Sequence, residues 1–481
     1  MTDRDQPPTT KPELLGRDEW VSEHDQRVRR DTWTAIGAAI ERVPFVLRLA
    51  IIAAAALAFP IFTDNNYVLR IVGTVALFAS LAMGLNLVAG FAGLLDLGYV
   101  AFYGIGGYAY AYFSSDFLGI HLPTWVTLLI VVALGALFGW LLGLPSMRLT
   151  GDYLAIATLG FLLVFIQLAT SLTRVSLPWT DGPVDLTGGP NGIVNLDDFS
   201  LFGFTASTVE HYLVILVGLL LVVMTVAHNL DRSRVGRGWR ALRENELAAN
   251  VMGMPTKRLK LLAFVFGSAI AGMSGMTFAA WQGAVFPNNF AVPLLITMYS
   301  IIVLGGLGSI PGVLVGSFIL VVVPELLRDV GLASTLFYGA VILTLFVAIK
   351  PRWQAAAVVA GTALVGIAAR LFLPGEPPGV GEGLGALVGQ ILVVPGNDPQ
   401  LVGNIAFMAV LGLLFLSVYL PTRTLKLVAL VPLLWLLALA WNTRLSQDPS
   451  VTRLLLIGLT LVALMNFRPA GLFGRTRVEV M

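Results

Sequence analysis

The chain alternates between long apolar runs and short polar joints. Apolar runs fall at about 44–62, 67–89, 93–113, 123–146, 152–172, 210–229, 260–281, 292–310, 312–327, 332–349, 355–373, 401–420, 425–441 and 451–467. A helix needs roughly 20 such residues to cross a bilayer, so the pattern predicts a series of membrane helices. The joints carry their charges unevenly. Threaded from an N-terminus on the inside, Arg148, the loop 230–259, Lys350 with Arg352, Arg423 with Lys426, and Arg468, Arg475 and Arg477 all fall on one side. Asp181, Asp185, Asp197 and Asp198, opposed only by Arg174, fall on the other, as do Glu376, Glu382 and Asp398. Short cytoplasmic loops carry the excess of Lys and Arg. This threading satisfies every loop; the reverse violates nearly all of them.

Composition agrees. Of 481 residues, 57% are hydrophobic and 12% charged, more apolar side chain than a water-soluble domain can bury. The reading is an all-α polytopic membrane protein. A net charge of +2 gives no reason to expect nucleic acid. Without cysteine there are no disulfides, thiolate metal sites or cysteine nucleophiles. His24, His121, His211 and His228 are scattered without ligand spacing. Residues 1–42 are polar, mixed in charge and lack the apolar core of a leader, so a cytoplasmic tail is expected there. Both termini are expected in the cytoplasm.

Two apolar stretches are too rich in glycine to be plain spans. Between Gly84 and Gly107 glycine recurs at 84, 90, 93, 98, 104, 106 and 107, and each weakens a helix by about 1 kcal/mol relative to alanine. Close helix packing through small faces is one reading. The other is a broken or re-entrant helix beside a transport path, where irregular backbone faces protein or water. Leu304 to Gly312 makes a second break, in which Pro311 removes a donor. The residues singled out along such a path are Asn86, Gly90, Gly93, Asp96, Gly305, Gly306 and Gly308.

Ionisable groups at membrane depth are costly and often functional. Asp96 reads as a cation or proton site, or as the cap of a half-helix. Asp152, after Gly151, reads as a cap. Arg48 and Arg70 lie near span ends and are expected to snorkel. Glu325, Arg328 and Arg370 are expected to be paired or solvated near an outer edge. No Walker loop, H-E-x-x-H, G-x-S-x-G or pair of carboxylates at helical spacing occurs in the spans. An enzyme is therefore poorly supported, and no bound cofactor or metal is expected.

The segment Gly236 to Gly253 is charged, short and bounded by spans. Five arginines, Arg232, Arg234, Arg237, Arg240 and Arg243, crowd into its first half and the residues just before it. Trp239, Leu242, Leu247 and Val251 can share one side of a short helix, with Gly253 as its C-terminal stop and Pro255 beyond. A basic loop lying on anionic lipid is the plain alternative. The aromatic anchor and alternating Arg and Glu favour docking to a cytoplasmic partner. The residues expected to carry that coupling are Arg237, Trp239, Arg240, Leu242, Arg243, Glu246, Ala249 and Gly253.

Six stretches in order resemble the permeases of branched-chain amino-acid ABC importers. They are Gly84-Leu85-Asn86-Leu87 with Gly90 and Gly93; Arg148 to Gly160; Leu186 to Ile193; the arginine-rich segment running on to Lys260-Leu261-Leu262-Ala263-Phe264; Val303 to Ser309; and Phe467 to Gly474. The resemblance covers about 65–330 and 451–475. It implies an ABC-importer permease-type helical bundle with broken helices, working by alternating access in a bacterial inner membrane. It also implies cytoplasmic ATP-binding subunits that hold the ATP, a second homologous permease, and an extracytoplasmic binding protein. That protein would deliver branched-chain amino acids or related solutes such as amides. Residues 236–253 then correspond to the coupling loop; Glu246-Leu247-Ala248-Ala249 with Gly253 is similar to the family's E-A-A-x-x-x-G, with the glutamate one residue early. Gly188, Gly189, Pro190, Asn191 and Gly192 form a turn in the outer loop 173–209, a candidate docking surface for the binding protein or a plain surface loop.

The chain also departs from the family. Asp96 and Tyr99 stand where members more often have Ser and His. Residues 351–450 add extra C-terminal transmembrane segments between the usual core and the usual ending. They are expected in an even number near 355–441, so that Arg468 ends inside. The expected divisions are a tail 1–42, a permease core 43–350 with coupling loop 230–259, the added segments 351–450, and a last helix with cytoplasmic tail 451–481. An ion-coupled secondary transporter and a non-transporting membrane scaffold are the rival readings.

Overall fold

The computed structural model describes residues 43–62, 65–147, 149, 151–173, 175–176, 183–201, 203–326, 328, 330–373, 375–376, 384–395, 398–447, 458 and 471–473. The tail 1–42, Arg148, Arg174, Asp181, Glu382, Arg468, Arg475, Arg477 and most of the run 451–467 lie outside them.

The helices follow the apolar runs. They are α1 (Phe45–Phe62), α2 (Asn66–Leu85), α3 (Tyr99–Phe113), α4 (Thr124–Ser146), α5 (Asp152–Ser171), α6 (Val209–Arg232), α7 (Arg234–Glu244), α8 (Glu246–Val251) and α9 (Thr256–Gln282). After them come α10 (Val292–Gly305), α11 (Ile310–Leu326), α12 (Val330–Ala348), α13 (Arg352–Phe372), α14 (Leu384–Ile391), α15 (Pro399–Tyr419) and α16 (Arg423–Gln447). Nine of the described helices are long and apolar enough to cross a membrane, counting continuous stretches such as Asn66–Phe91. The chain is an all-α polytopic membrane protein.

The first glycine-rich stretch is a broken helix. α2 runs into a wider π-type turn over Asn86–Phe91, helical structure stops from Ala92 to Gly98, and α3 begins at Tyr99. With 15 residues, α3 rises only about 22 Å, short of a hydrocarbon core of about 30 Å. The break and the close packing occur together, because the same stretch also packs closely. A Cβ at Gly106 would fall 2.0 Å from Gly272 O, and one at Gly275 would fall 1.9 Å from Tyr103 O. Only glycine lets the backbones of α3 and α9 meet there. α9 is central, packing on α4, α3, α2 and α6.

The second break separates α10 from α11. It is carried by Gly306 and Gly308, whose φ angles are 110° and 80°. Pro311 lies in the first turn of α11, where its missing N–H would have had no helical partner; it follows the break and does not make it. Asp152 likewise makes no side-chain cap. Gly151 occupies that position, and Asp152 places its charge in the first turn of α5, where the helix dipole favours it.

The arginine loop meets the breaks after α2 and α10. At the opposite end, Ile193–Val194 pairs with Ala284–Val285, and Asp197 N donates to Ser114 O at 2.8 Å. There the His121 ring lies 2.7 Å from Asp197 Oδ2 and 3.2 Å from Asp116 Oδ1. Glu325 is paired as expected, with Arg328 at 3.2 Å and with the Tyr67 hydroxyl. Arg370 donates to Gln390 O at 3.0 Å.

Packing divides the chain near residue 330. One continuous core runs from Leu69 to Val313. α12 joins two smaller clusters with α13 to α16, around Tyr338 and Trp441 and around Leu345 and Ala355. Between them lies an apolar cavity of about 180 Å³ lined by Tyr338, Leu345, Val359, Leu392 and Trp435. Among the described residues, three span-length helices, not an even number, lie between 351 and 450. α14, with 8 residues, rises about 12 Å and is too short to cross.

Candidate functional site

Asn245 decides the shape of the arginine loop. Its backbone is extended (φ −158°, ψ 109°), and its side chain accepts from Ala248 N at 3.0 Å. It therefore ends α7 and caps α8. The single helix expected over 239–251 is two helices, and the expected shared face does not exist. Trp239 and Leu242 are buried, whereas Leu247 and Val251 are 77% and 87% exposed. The Asn-x-x-Ala step at 245–248 was the signal in the sequence, and the continuous charge pattern hid it.

The buried side fixes the element to the bundle. The Trp239 indole donates Nε1–H to Leu259 O at 2.8 Å. Glu246 reaches Lys260 Nζ at 2.6 Å, and Lys260 is almost wholly buried in α9. That partnership explains the charged residue at 246 from within the chain: a buried ammonium needs a paired carboxylate. Ala249 is buried beside it. Arg237 and Arg240 turn outward and donate to carbonyls of the preceding helix, Arg232 O at 3.1 Å and Asp231 O at 3.0 Å. Gly253 takes φ 79° and ends the element in the open. The outward face is apolar, made by Leu247, Val251, Met252 and Met254.

Arg243, in the last turn of α7, points the other way. Its guanidinium donates to Gly90 O, a carbonyl at the end of the π-type turn, where helices leave acceptors unsatisfied. Gly308 N donates to Asn86 Oδ1 at 2.8 Å. The structure thus brings Asn86, Gly90, Gly93 and Gly308 of the candidate path into one junction with Arg243. Gly305 and Gly306 join it through the C-terminal motif. Leu472 N donates to Leu304 O and Phe473 N to Gly305 O, both at 2.9 Å, capping carbonyls at the end of α10. Asn86, Asp96, Gly305 and Gly306 are buried in packing.

Asp96 accepts from Gly98 N at 2.9 Å, within the turn before α3. Gly98, not Asp96, is the capping residue of that helix. The Asp96 carbonyl accepts from the Tyr299 hydroxyl at 2.8 Å. Tyr99 Oη donates to Leu81 O at 2.8 Å, into space left by Gly84, whose Cβ would fall 2.1 Å from that oxygen. In the outer turn, Gly188, Gly189 and Gly192 are packed, with φ of 69°, 54° and 63°, while Pro190 and Asn191 are exposed.

Sequence comparison decides the family. Residues 67–350 match the family described as branched-chain amino acid transport system, permease component. The high-affinity branched-chain amino acid transport system permease protein LivM of Salmonella typhimurium is 36% identical over 334 residues, 65% of this chain and 74% of that protein. The chain belongs to this family. LivM of Escherichia coli is 35% identical over 334 residues with the same coverage. LivH of Escherichia coli, a permease protein of the same kind of system, is 26% identical over 256 residues, half of this chain and 79% of that protein. No solved structure matches the chain. The chain is therefore a multi-pass transport permease, and the family match stops where α13 to α16 begin.

Proposed function

We propose that this permease is one subunit of an ATP-driven importer of branched-chain amino acids or related small solutes. ATP-binding subunits dock at the arginine end, which faces the cytoplasm with both termini. A second permease completes the pore, and an extracytoplasmic binding protein docks at the opposite end, where Pro190 and Asn191 are exposed. The observation that carries this reading is the two-sided element α7–α8. Its back is held by Trp239, Glu246 and Arg243, and its front offers Leu247, Val251, Met252 and Met254 to water. Exposed apolar patches rimmed by charge mark protein contacts. Arg237 and Arg240 are exposed on α7, and Gly253 ends the element that carries the patch. Trp239, Leu242 and Ala249 act from behind it, by holding its shape. Asn86, Gly90, Gly93, Gly305, Gly306 and Gly308 belong to the junction that moves during alternating access, and Asp96 lies in the broken stretch beside it.

Proteoliposome uptake tests this. Branched-chain amino acids should enter only when this chain, the second permease, the ATP-binding subunits, the binding protein and ATP are all present. Uptake driven by an ion gradient with this chain alone would overturn the reading in favour of a secondary transporter.

A further inference from the structure

We propose that Arg243 is the positioning residue that passes motion from the coupling element to the two broken helices. This rests on reading α8 as the motor-docking surface, but the contact itself stands on the geometry.

Three glycines enclose the Arg243 side chain. A Cβ at Gly93 would fall 2.9 Å from its Cγ, and one at Gly308 would fall 2.7 Å from its Nη1. Gly90 supplies the accepting carbonyl and itself has no room for a side chain. A Cβ there would fall 2.0 Å from Asn86 Oδ1 and 2.6 Å from Gly308 N. One guanidinium therefore lies against both interruptions of the fold, the stretch 86–98 and the turn 306–309. Both interruptions contain glycines at positive φ, 72° at Gly93, 110° at Gly306 and 80° at Gly308, so both are places where backbone direction changes sharply.

The other anchors of the element run elsewhere. Trp239 and Glu246 fasten it to α9, the central helix whose glycine contacts with α3 leave little slack. If the motor rocked the element about those α9 anchors, Arg243 would pull on the ends of α2 and α10. Arginine suits the position because a long apolar stem ends in a planar fork of several fixed donors, and lysine lacks that fork. The stem packs on Gly93 while the head reaches Gly90. Motion would then reach the breaks through one named contact, and a claim of mechanical coupling requires that this contact differ between two states.

The experiment uses the complete transporter and two readouts. The first is uptake per ATP in proteoliposomes, with co-purification of the ATP-binding subunit as control. Arg243→Met should lower uptake per ATP by about tenfold or more, the scale of a lost charged hydrogen bond, with the ATP-binding subunit still bound. Arg243→Lys should recover part of it, and Gly90→Ala should reproduce the loss by wedging the junction. The second readout needs no motor. The chain has no native cysteine, so Leu307→Cys, on the exposed tip of the 306–309 turn, is a lone thiol. Its maleimide labelling in membranes should quicken by about threefold or more when Arg243→Met frees the turn. Uptake per ATP and labelling both within about twofold of the parent would overturn the proposal. So would loss of the ATP-binding subunit with unchanged labelling, which would make Arg243 a docking residue. If the parent chain bound no ATP-binding subunit, the proposed function would fail, and the labelling comparison would still decide the Arg243 contact.

Discussion

In an apolar 18-residue stretch of Asn66–Phe91 and of Thr256–Gln282, 72% and 61% of the residues are buried within the chain, whereas in Arg352–Phe372 and Gln400–Ser417 the share is 17% each. All four are apolar enough to span a bilayer. They differ in how closely backbone meets backbone. In the first region a Cβ at Gly275 would meet the backbone of Tyr103, while in the second a Cβ at Gly366 or Gly403 would first meet a side chain, Ile391 or Thr443, and Gly412 has nothing within 4 Å. Hydrophobicity places a helix in the membrane, but small residues at the contact decide whether it joins a packed core. The family match covers the tight region and ends at 350. The packing changes earlier, at α12, which the family shares but which buries its side chains among the added helices. The added segments thus attach through an existing helix.

Paired substitutions can break this contrast. The largest effect is expected at Gly275→Val, which drives a branched side chain into the backbone of Tyr103 and should cost about 4–5 kcal/mol or more. Gly412→Val should leave the protein within about 0.5 kcal/mol of the parent. Thermal unfolding in detergent compares them, and equal losses would refute the difference in packing. Next, Trp239→Ala should cost about 3–5 kcal/mol by opening a cavity behind α7 and α8. Trp353→Ala, 68% exposed on α13, should cost almost nothing. Glu246→Ala leaves the buried Lys260 without its carboxylate. Because Glu246 is partly exposed, about 1–3 kcal/mol is expected, and Glu246→Ala combined with Lys260→Met should recover part of it.

The smallest effect is a pH dependence at the end opposite the arginines. Hydrogen bonding to Asp197, helped by its charge and by Asp116, raises the His121 pKa above its ordinary value. A raised folded pKa means the protonated ring stabilises the fold. That contribution is complete below about pH 6.5, the ordinary value, and is lost as pH rises through the higher folded value. Ser114–Ser115 pairs antiparallel with Ile120–His121; proteolysis of this hairpin should quicken over that rise, and His121→Asn should flatten the profile.

Much of this was legible in the sequence. Apolar periodicity yields the described helices. Glycine runs locate both breaks, because no other residue tolerates that density or those φ angles. Direction was harder. The charge pattern of 236–253 reads as one amphipathic helix, and only the capping chemistry of Asn245 reveals that Trp239 and Val251 face opposite ways. Contacts between distant segments leave no local trace: Lys260 with Glu246, Arg243 with Gly90, and Leu472 and Phe473 on the end of α10. The packing boundary at α12 is equally silent, since a helix facing lipid and one facing protein can share a composition.

The claim that a separate motor docks on α8 is tested most directly by cross-linking. A photoreactive probe on Val251→Cys, the sole thiol in the chain, should capture the ATP-binding subunit in the assembled transporter. The same probe on Val222→Cys, exposed on the membrane helix α6, should not. Capture from both positions alike, or from neither, would contradict the account.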